Sequence, residues 1–260
     1  MIRRLLPQIK GLILDMDGVL WRDTQPIGNL PRTFDRIKDL GLRFIFATNN
    51  SLSNADEFFS KISHFGVKIE PWQIINSQQA MSFLLKSRFP EGGPIYILGS
   101  DSLTKNLSEN GFYHDEEKAL AVVVGMDRKL TYEKLRSAMM LINKGVPFYG
   151  TNPDETFPTP EGLVPGTGSL LAALQAATKV SPTIAGKPQS AIFELAAKHL
   201  NIPSDEILSI GDRLDTDVLG AQRFGCHSGL VLSGVTSAAE AASWSPQPEI
   251  IASDLAEMIG

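Results

Sequence analysis

Short apolar runs that stop abruptly in polar or glycine residues alternate along this chain with stretches whose apolar residues recur every three or four positions. The first kind predicts buried strands of a parallel sheet, the second amphipathic helices packed on its faces. Leu12, Ile13 and Leu14 end in Asp15-Met16-Asp17-Gly18, a strand followed by a turn. A helix is expected over 31–40, with Phe34, Ile37 and Leu40 on its apolar face and Gly41 stopping it. A second strand over 42–47 runs into Thr48-Asn49-Asn50-Ser51, and Ser53 or Asn54 caps a helix to about 65. A short strand at 73–76 then leads into a helix over 77–87. Strand–helix alternation of this kind is the pattern of a doubly wound parallel sheet.

The same rhythm resumes after the breaker cluster Pro90-Glu91-Gly92-Gly93-Pro94. Strands are expected at 95–98, 119–124 and 147–150, and helices over 102–110 and from a Thr131 cap to 144. A proline-rich stretch at 151–160 reads as a shaped functional loop, and Gly166-Thr167-Gly168 opens a helix to 177. From Thr183 a strand leads to Gly186-Lys187-Pro188, and Ser190 caps a helix to 200. A buried strand at 206–210 runs into Gly211-Asp212-Arg213-Leu214-Asp215-Thr216-Asp217. A helix to 224, a strand at 228–232, a helix near Ala238 and an apolar segment at Ile250-Ile251 close the chain. The middle region is thus a second α/β unit.

Composition narrows the function without choosing it. The 260 residues suffice for one large domain, or for one domain carrying an insertion. A net charge of −5 argues against a nucleic-acid partner, which favours a basic face. One cysteine, Cys226, excludes an internal disulfide and a cysteine-rich zinc site. No apolar run approaches membrane-spanning length, and Lys10 and Asp15 interrupt any signal-peptide core. A cytoplasmic protein with no membrane partner is expected.

Four of the expected strands end in residues that carry chemistry: Asp15 with Asp17, Thr48, Lys187, and Asp212 with Asp217. Each alone is an ordinary turn or helix-start residue. In a doubly wound sheet, however, ligands bind at the carboxyl ends of the strands, so the endings converge on one crevice. Acids at that density repel unless a cation lies between them or one keeps its proton. Mg²⁺ suits carboxylates from Asp15 and Asp212 with a backbone carbonyl near Asp17, leaving positions for phosphate oxygens. A lysine and hydroxyl donors then neutralise the phosphoryl group, one carboxylate attacks phosphorus, and a second moves the proton.

These motifs, in this order, resemble those of the haloacid dehalogenase (HAD) superfamily. The double Asn after Thr48, the run Asp212-Arg-Leu-Asp-Thr-Asp217, and Thr151-Asn-Pro-Asp with Val164-Pro-Gly-Thr-Gly resemble its NagD family, subfamily IIA. The resemblance implies a Rossmann-like core over 1–81 and 181–260, with an inserted α/β cap of the C2 type over 82–180. It implies Asp15 as nucleophile, Asp17 as general acid and base, and Mg²⁺ held by Asp15, the Asp17 carbonyl and Asp212. Thr48, Asn49, Asn50 and Lys187 would contact phosphate, and Asp217 would orient Lys187 or metal-bound water. The substrate is then a small-molecule phosphate monoester, such as p-nitrophenyl phosphate, phosphoglycolate or a sugar phosphate. The loop at 151–160, with Phe157, is the expected chooser among them. Caps of that family often pair, so a homodimer through the cap is a further expectation. The rival reading is a phosphate-binding or signalling domain with a HAD-like core and little turnover.

Overall fold

A computed structural model describes residues 1–51, 55–159 and 161–260. The expected helix caps Ser53 and Asn54, and Pro160 of the proline-rich stretch, lie outside the described residues. The chain divides into two compact units. Met1–Thr48, Ala55–Ile75 and Lys187–Gly260 form the first, and Asn49–Asn54 with Asn76–Gly186 form the second.

The first unit is built on a six-stranded sheet in the order Ile250–Ala252, His227–Val231, Ile207–Gly211, Gly11–Leu14, Arg43–Thr48, Ile74–Asn76. Gly11–Leu14 runs parallel to both neighbours, with Leu14 opposite Ile210 on one side and Phe46 on the other. Every residue of that strand is buried, as its unbroken apolar run requires. Leu12, Leu14, Phe34, Ile37, Phe44, Phe46, Leu208 and Ile210 share one core. Strand order reverses about Gly11–Leu14, since Arg43–Thr48 and Ile74–Asn76 lie on one side of it and the three strands after residue 206 on the other. Such a switch point opens a crevice at the carboxyl end, and Asp15 is the next residue.

Local chemistry explains the element ends, including those the sequence pattern misplaces. Helix Leu30–Asp39 begins one residue early because the Asn29 side chain accepts from Arg32 N–H at 3.1 Å and caps it. The stretch holding Asp23 and Pro26 is a hairpin, pairing Trp21–Arg22 with Gln25–Pro26. Its turn puts Asp23 at φ 52°, a left-handed conformation that aspartate tolerates. Ser190 is the first residue of helix Ser190–Leu200, not its cap; Gln189 holds that position and makes no side-chain cap bond. After Asp212 the chain makes one π turn, Leu214–Val218, before the α-helix Leu219–Phe224. Ile250–Ala252 is an edge strand, and the short helix Leu255–Ile259 after it was too brief for periodicity to reveal.

The second unit holds a five-stranded parallel sheet in the order Thr183–Ile184, Phe148–Gly150, Val122–Val124, Gly93–Leu98, Phe112–His114. Tyr96, Leu98, Val122, Val124, Leu141, Phe148 and Leu174 form its core. Its helices are Ser77–Arg88, Asp101–Glu109, Tyr132–Asn143 and Thr167–Thr178. Thr131 caps the third as expected, accepting from Lys134 N–H at 3.3 Å. The stretch expected as a loop at 151–160 is half strand: Thr156–Thr159 pairs antiparallel with Gly162–Pro165, setting Phe157 opposite Val164. Among the described residues no helix is long and apolar enough to cross a membrane.

Candidate active site

Lys187 is the centre of the first unit's polar cluster. Its Nζ lies 2.5 Å from Asp15 Oδ1 and 2.6 Å from Asp217 Oδ1, with Lys187 and Asp217 almost fully buried. Asp15 reaches this point because it continues Gly11–Leu14, its N–H donating to the Ile210 carbonyl at 2.9 Å. Asp217 reaches it through the π turn. That extra backbone residue brings its carboxylate under the strand end, where Oδ2 accepts from Arg213 N–H at 3.1 Å.

Asp212 follows strand Ile207–Gly211, and its Oδ2 accepts from Val235 N–H at 2.7 Å. Gly18 and Gly234 flank this carboxylate so closely that a Cβ on either would collide with Asp212 Oδ2. Gly18 also stands at φ +79°, where only glycine is unstrained. The sequence marks Gly18 by its place after the two acids, but nothing in it marks Gly234 or Val235, which arrive from a different loop.

Asp15, Asp212 and Asp217 each offer a carboxylate oxygen, and the three atoms lie within 4.8 Å of one another. Burial raises Asp15 well above the usual carboxylate range, and the charges of Asp217 and Asp212 add to that rise against the pull of Lys187. Burial, then Asp217, pushes Asp212 up to about 6. Burial alone would lower Lys187, but Asp15 and Asp217 outweigh it and hold the ammonium above the ordinary lysine range. Three carboxylates thus face one ammonium, an excess of negative charge in a poorly solvated space. Hard oxygen donors with surplus charge fit a divalent cation.

Asp17 stands apart from that trio. It is exposed, and its Oδ1 accepts from the indole N–H of Trp21 at 2.7 Å. Trp21 was not singled out by the sequence reading, although a tryptophan four residues beyond the second acid was there to be seen. Thr48, buried, ends the strand adjacent to Gly11–Leu14. Asn49, Asn50 and Phe157 belong to the second unit. There the Asn49 carbonyl accepts from Ser77 Oγ at 2.7 Å and Asn152 Nδ2 at 2.9 Å, while Asn49 Nδ2 donates to Asp154 at 3.4 Å. Asn50 and Phe157 are half-buried. The motifs Thr151-Asn-Pro-Asp and Val164-Pro-Gly-Thr-Gly meet in this unit, where Gly168 N–H donates to the Asp154 carbonyl at 2.8 Å. A Cβ at Gly168 would strike the Pro153 carbonyl.

The family model "Haloacid dehalogenase-like hydrolase" matches residues 12–113, and "HAD-hydrolase-like" matches residues 184–258. The 5'-nucleotidase YutF of Bacillus subtilis is 33% identical over 227 residues, which cover 87% of this chain and 88% of that one. The chain belongs to the haloacid dehalogenase-like hydrolases. Among solved structures, 4-nitrophenylphosphatase from Thermotoga maritima superposes with a TM-score of 0.90 at 32% identity, covering 97% of each chain. NagD from E. coli K-12 gives a TM-score of 0.89 at 28% identity, covering 96% of this chain and 98% of that one. This HAD-like hydrolase therefore falls in the NagD-like phosphatase branch and is a phosphoric monoester hydrolase. The rival reading as a signalling domain gives way to that membership. Among the described residues of this HAD-like hydrolase, the acidic trio is a group able to hold a metal ion.

Proposed function

We propose that the protein is a Mg²⁺-dependent phosphatase that hydrolyses small-molecule phosphate monoesters through an aspartyl-phosphate intermediate. The observation that carries this reading is the close set of Asp15, Asp212 and Asp217, two of them paired with the buried Lys187. A carboxylate can attack a phosphate dianion only where the mutual repulsion is offset. Lys187 supplies one positive charge beside Asp15, and Mg²⁺ supplies two more, held by Asp15, the Asp17 carbonyl and Asp212.

Asp15 acts as the nucleophile. Thr48 and Lys187 receive the phosphoryl oxygens, with Asn49 and Asn50 as further phosphate contacts. Asp17 protonates the departing ester oxygen and then takes a proton from the water that cleaves the aspartyl phosphate. Asp217 holds Lys187 in place and acts beside the metal without attacking phosphorus. Residues 1–81 and 181–260 form the catalytic core, and the inserted segment 82–180 is the cap that selects the ester, with Phe157 as an apolar contact. Substrates are drawn from p-nitrophenyl phosphate, phosphoglycolate, sugar phosphates and, by analogy with the 5'-nucleotidase of Bacillus subtilis, nucleoside monophosphates. The protein works in the cytoplasm as a homodimer paired through the cap.

The test is phosphate release over a panel of these esters, with Mg²⁺ and with EDTA. Release that depends on Mg²⁺ and is abolished in Asp15→Asn supports the reading. Full activity in EDTA overturns the metal, and full activity in Asp15→Asn overturns the nucleophile.

A further inference from the structure

An exposed carboxylate does not need a buried donor to satisfy it, since water is at hand. Asp17 nevertheless has one: Trp21, fully buried, gives the only polar hydrogen of its side chain to Asp17 Oδ1 at 2.7 Å. The indole is itself fixed on several sides. The Trp21 carbonyl accepts from Gly18 N–H at 2.8 Å, and the Phe65 ring packs at 5.9 Å. Lys61 Nζ stands 4.0 Å over the indole and donates to the Asp23 carbonyl at 2.8 Å, tying the ring face to the hairpin turn. A cation on an aromatic face both holds the ring and withdraws electron density from it, which strengthens the N–H as a donor.

We propose that Trp21, braced by Lys61, is a positioning residue that decides which oxygen of Asp17 carries the catalytic proton. An indole N–H donates and never accepts. It therefore favours a bare Oδ1 in both protonation states of Asp17 and confines the transferable proton to Oδ2. In the first half-reaction the Oδ2 proton passes to the ester oxygen as its bond to phosphorus breaks and the bond from Asp15 forms. In the second, water gives a proton to Oδ2 as its oxygen bonds to phosphorus and the Asp15–phosphorus bond breaks. Asp17 returns to its starting state, and Trp21 changes no bond. Without the indole the carboxyl group rotates freely, and the proton is in place for a fraction of encounters.

The inference rests on the proposed chemistry, and the experiment separates the two. Single-turnover release is measured with phenyl phosphate and p-nitrophenyl phosphate, esters of similar shape whose leaving groups differ in their need for a proton. Trp21→Phe keeps a ring and deletes the donor; its fold is checked by circular dichroism. Benzothienylalanine at the same position replaces the N–H by sulfur with little change of shape and serves if Trp21→Phe is misfolded. Loss of the donor should slow the phenyl ester about 10- to 100-fold, the scale of one hydrogen bond to a charged group, with KM unchanged. The p-nitrophenyl ester should change little in that step. In an Asp17→Asn background the same replacement should alter the ratio of the two esters no further. Lys61→Met should reproduce part of the effect, and Lys61→Arg, which can still stack on the indole, should restore the ratio.

Equal losses on both esters, or an undiminished effect in the Asp17→Asn background, would overturn the positioning role. An unaltered ratio in Lys61→Met would remove Lys61 from it. Failure of Asp17→Asn itself to distinguish the esters would instead remove the acid role on which the inference stands.

Discussion

Lys187 and Asp15, 172 positions apart in the chain, meet at 2.5 Å in a partly buried ion pair. In the proposed reaction the ammonium neutralises the carboxylate that approaches a phosphate dianion, so the pair couples nucleophile and substrate charge. Asp15→Asn keeps the side-chain shape while deleting the oxygen proposed to attack. It should remain folded, release no phosphate and show no phosphoryl adduct in the mass of the quenched protein. Retention of Mg²⁺-dependent turnover by that variant would end the assignment of Asp15.

Asp17 is proposed to act in both half-reactions, and leaving-group chemistry separates them. General acid–base assistance is worth roughly 10²–10⁴-fold, needed most where the leaving oxygen is basic. Asp17→Asn should therefore give a stoichiometric burst of p-nitrophenol and then stall as phosphoenzyme, because water attack lacks its base. Rapid mixing with p-nitrophenyl phosphate, followed by the mass of the protein, measures this. Steady turnover without trapped phosphoryl group would deny the base role.

The acidic trio makes a pH prediction for the metal-free protein. Asp212 rises from 3.8 to about 6 on folding, chiefly by burial. A raised pKa means that the folded state holds the proton more tightly than the unfolded one. The stability it contributes is complete below 3.8 and is lost as pH rises through about 6. In the proposed ligation Mg²⁺ binds the deprotonated group, so its stabilisation should run the opposite way. The rise in melting temperature on adding Mg²⁺ should be larger at pH 7.5 than at pH 5, while EDTA-treated protein should lose part of its stability across that window. Equal Mg²⁺ shifts at the two pH values would show that Asp212 is not a ligand.

Phe157 lies in the hairpin of the second unit, whereas the acids and Lys187 belong to the first. Phe157→Ala should reorder the esters of the panel more than it lowers the rate on p-nitrophenyl phosphate. An unchanged order would place selectivity elsewhere in segment 82–180.

The sequence was most readable where apolar runs stop. Leu12–Leu14 ending at Asp15, and Ile207–Ile210 ending at Gly211 and Asp212, announce both the parallel sheet and its crevice, because burial and polarity change within one residue. Proline misled at 151–160: it was read as breaking structure, yet Thr156–Thr159 forms one arm of an antiparallel pair. The contact of Asp217 with Lys187 was legible only through the family resemblance, because a π turn has the same composition as the opening of an α-helix. The partners of the site were hidden for a different reason. Lys61 reaches Trp21 from 40 residues away and Val235 reaches Asp212 from the far side of a strand, and neither position carries a local pattern.

The glycines beside Asp212 have a consequence for how this site can change over generations. Gly18 and Gly234 have no functional group, yet any side chain at either would have to evict the Asp212 carboxylate. Neighbouring positions can drift, and the hairpin that carries Phe157 can be rewritten, but these two cannot be crossed by a single codon change while the carboxylate stays. In a saturation library they should tolerate as little as the acids themselves, with rare survivors carrying a compensating change at Asp212. The boundary of what the active site can become is drawn there by empty space.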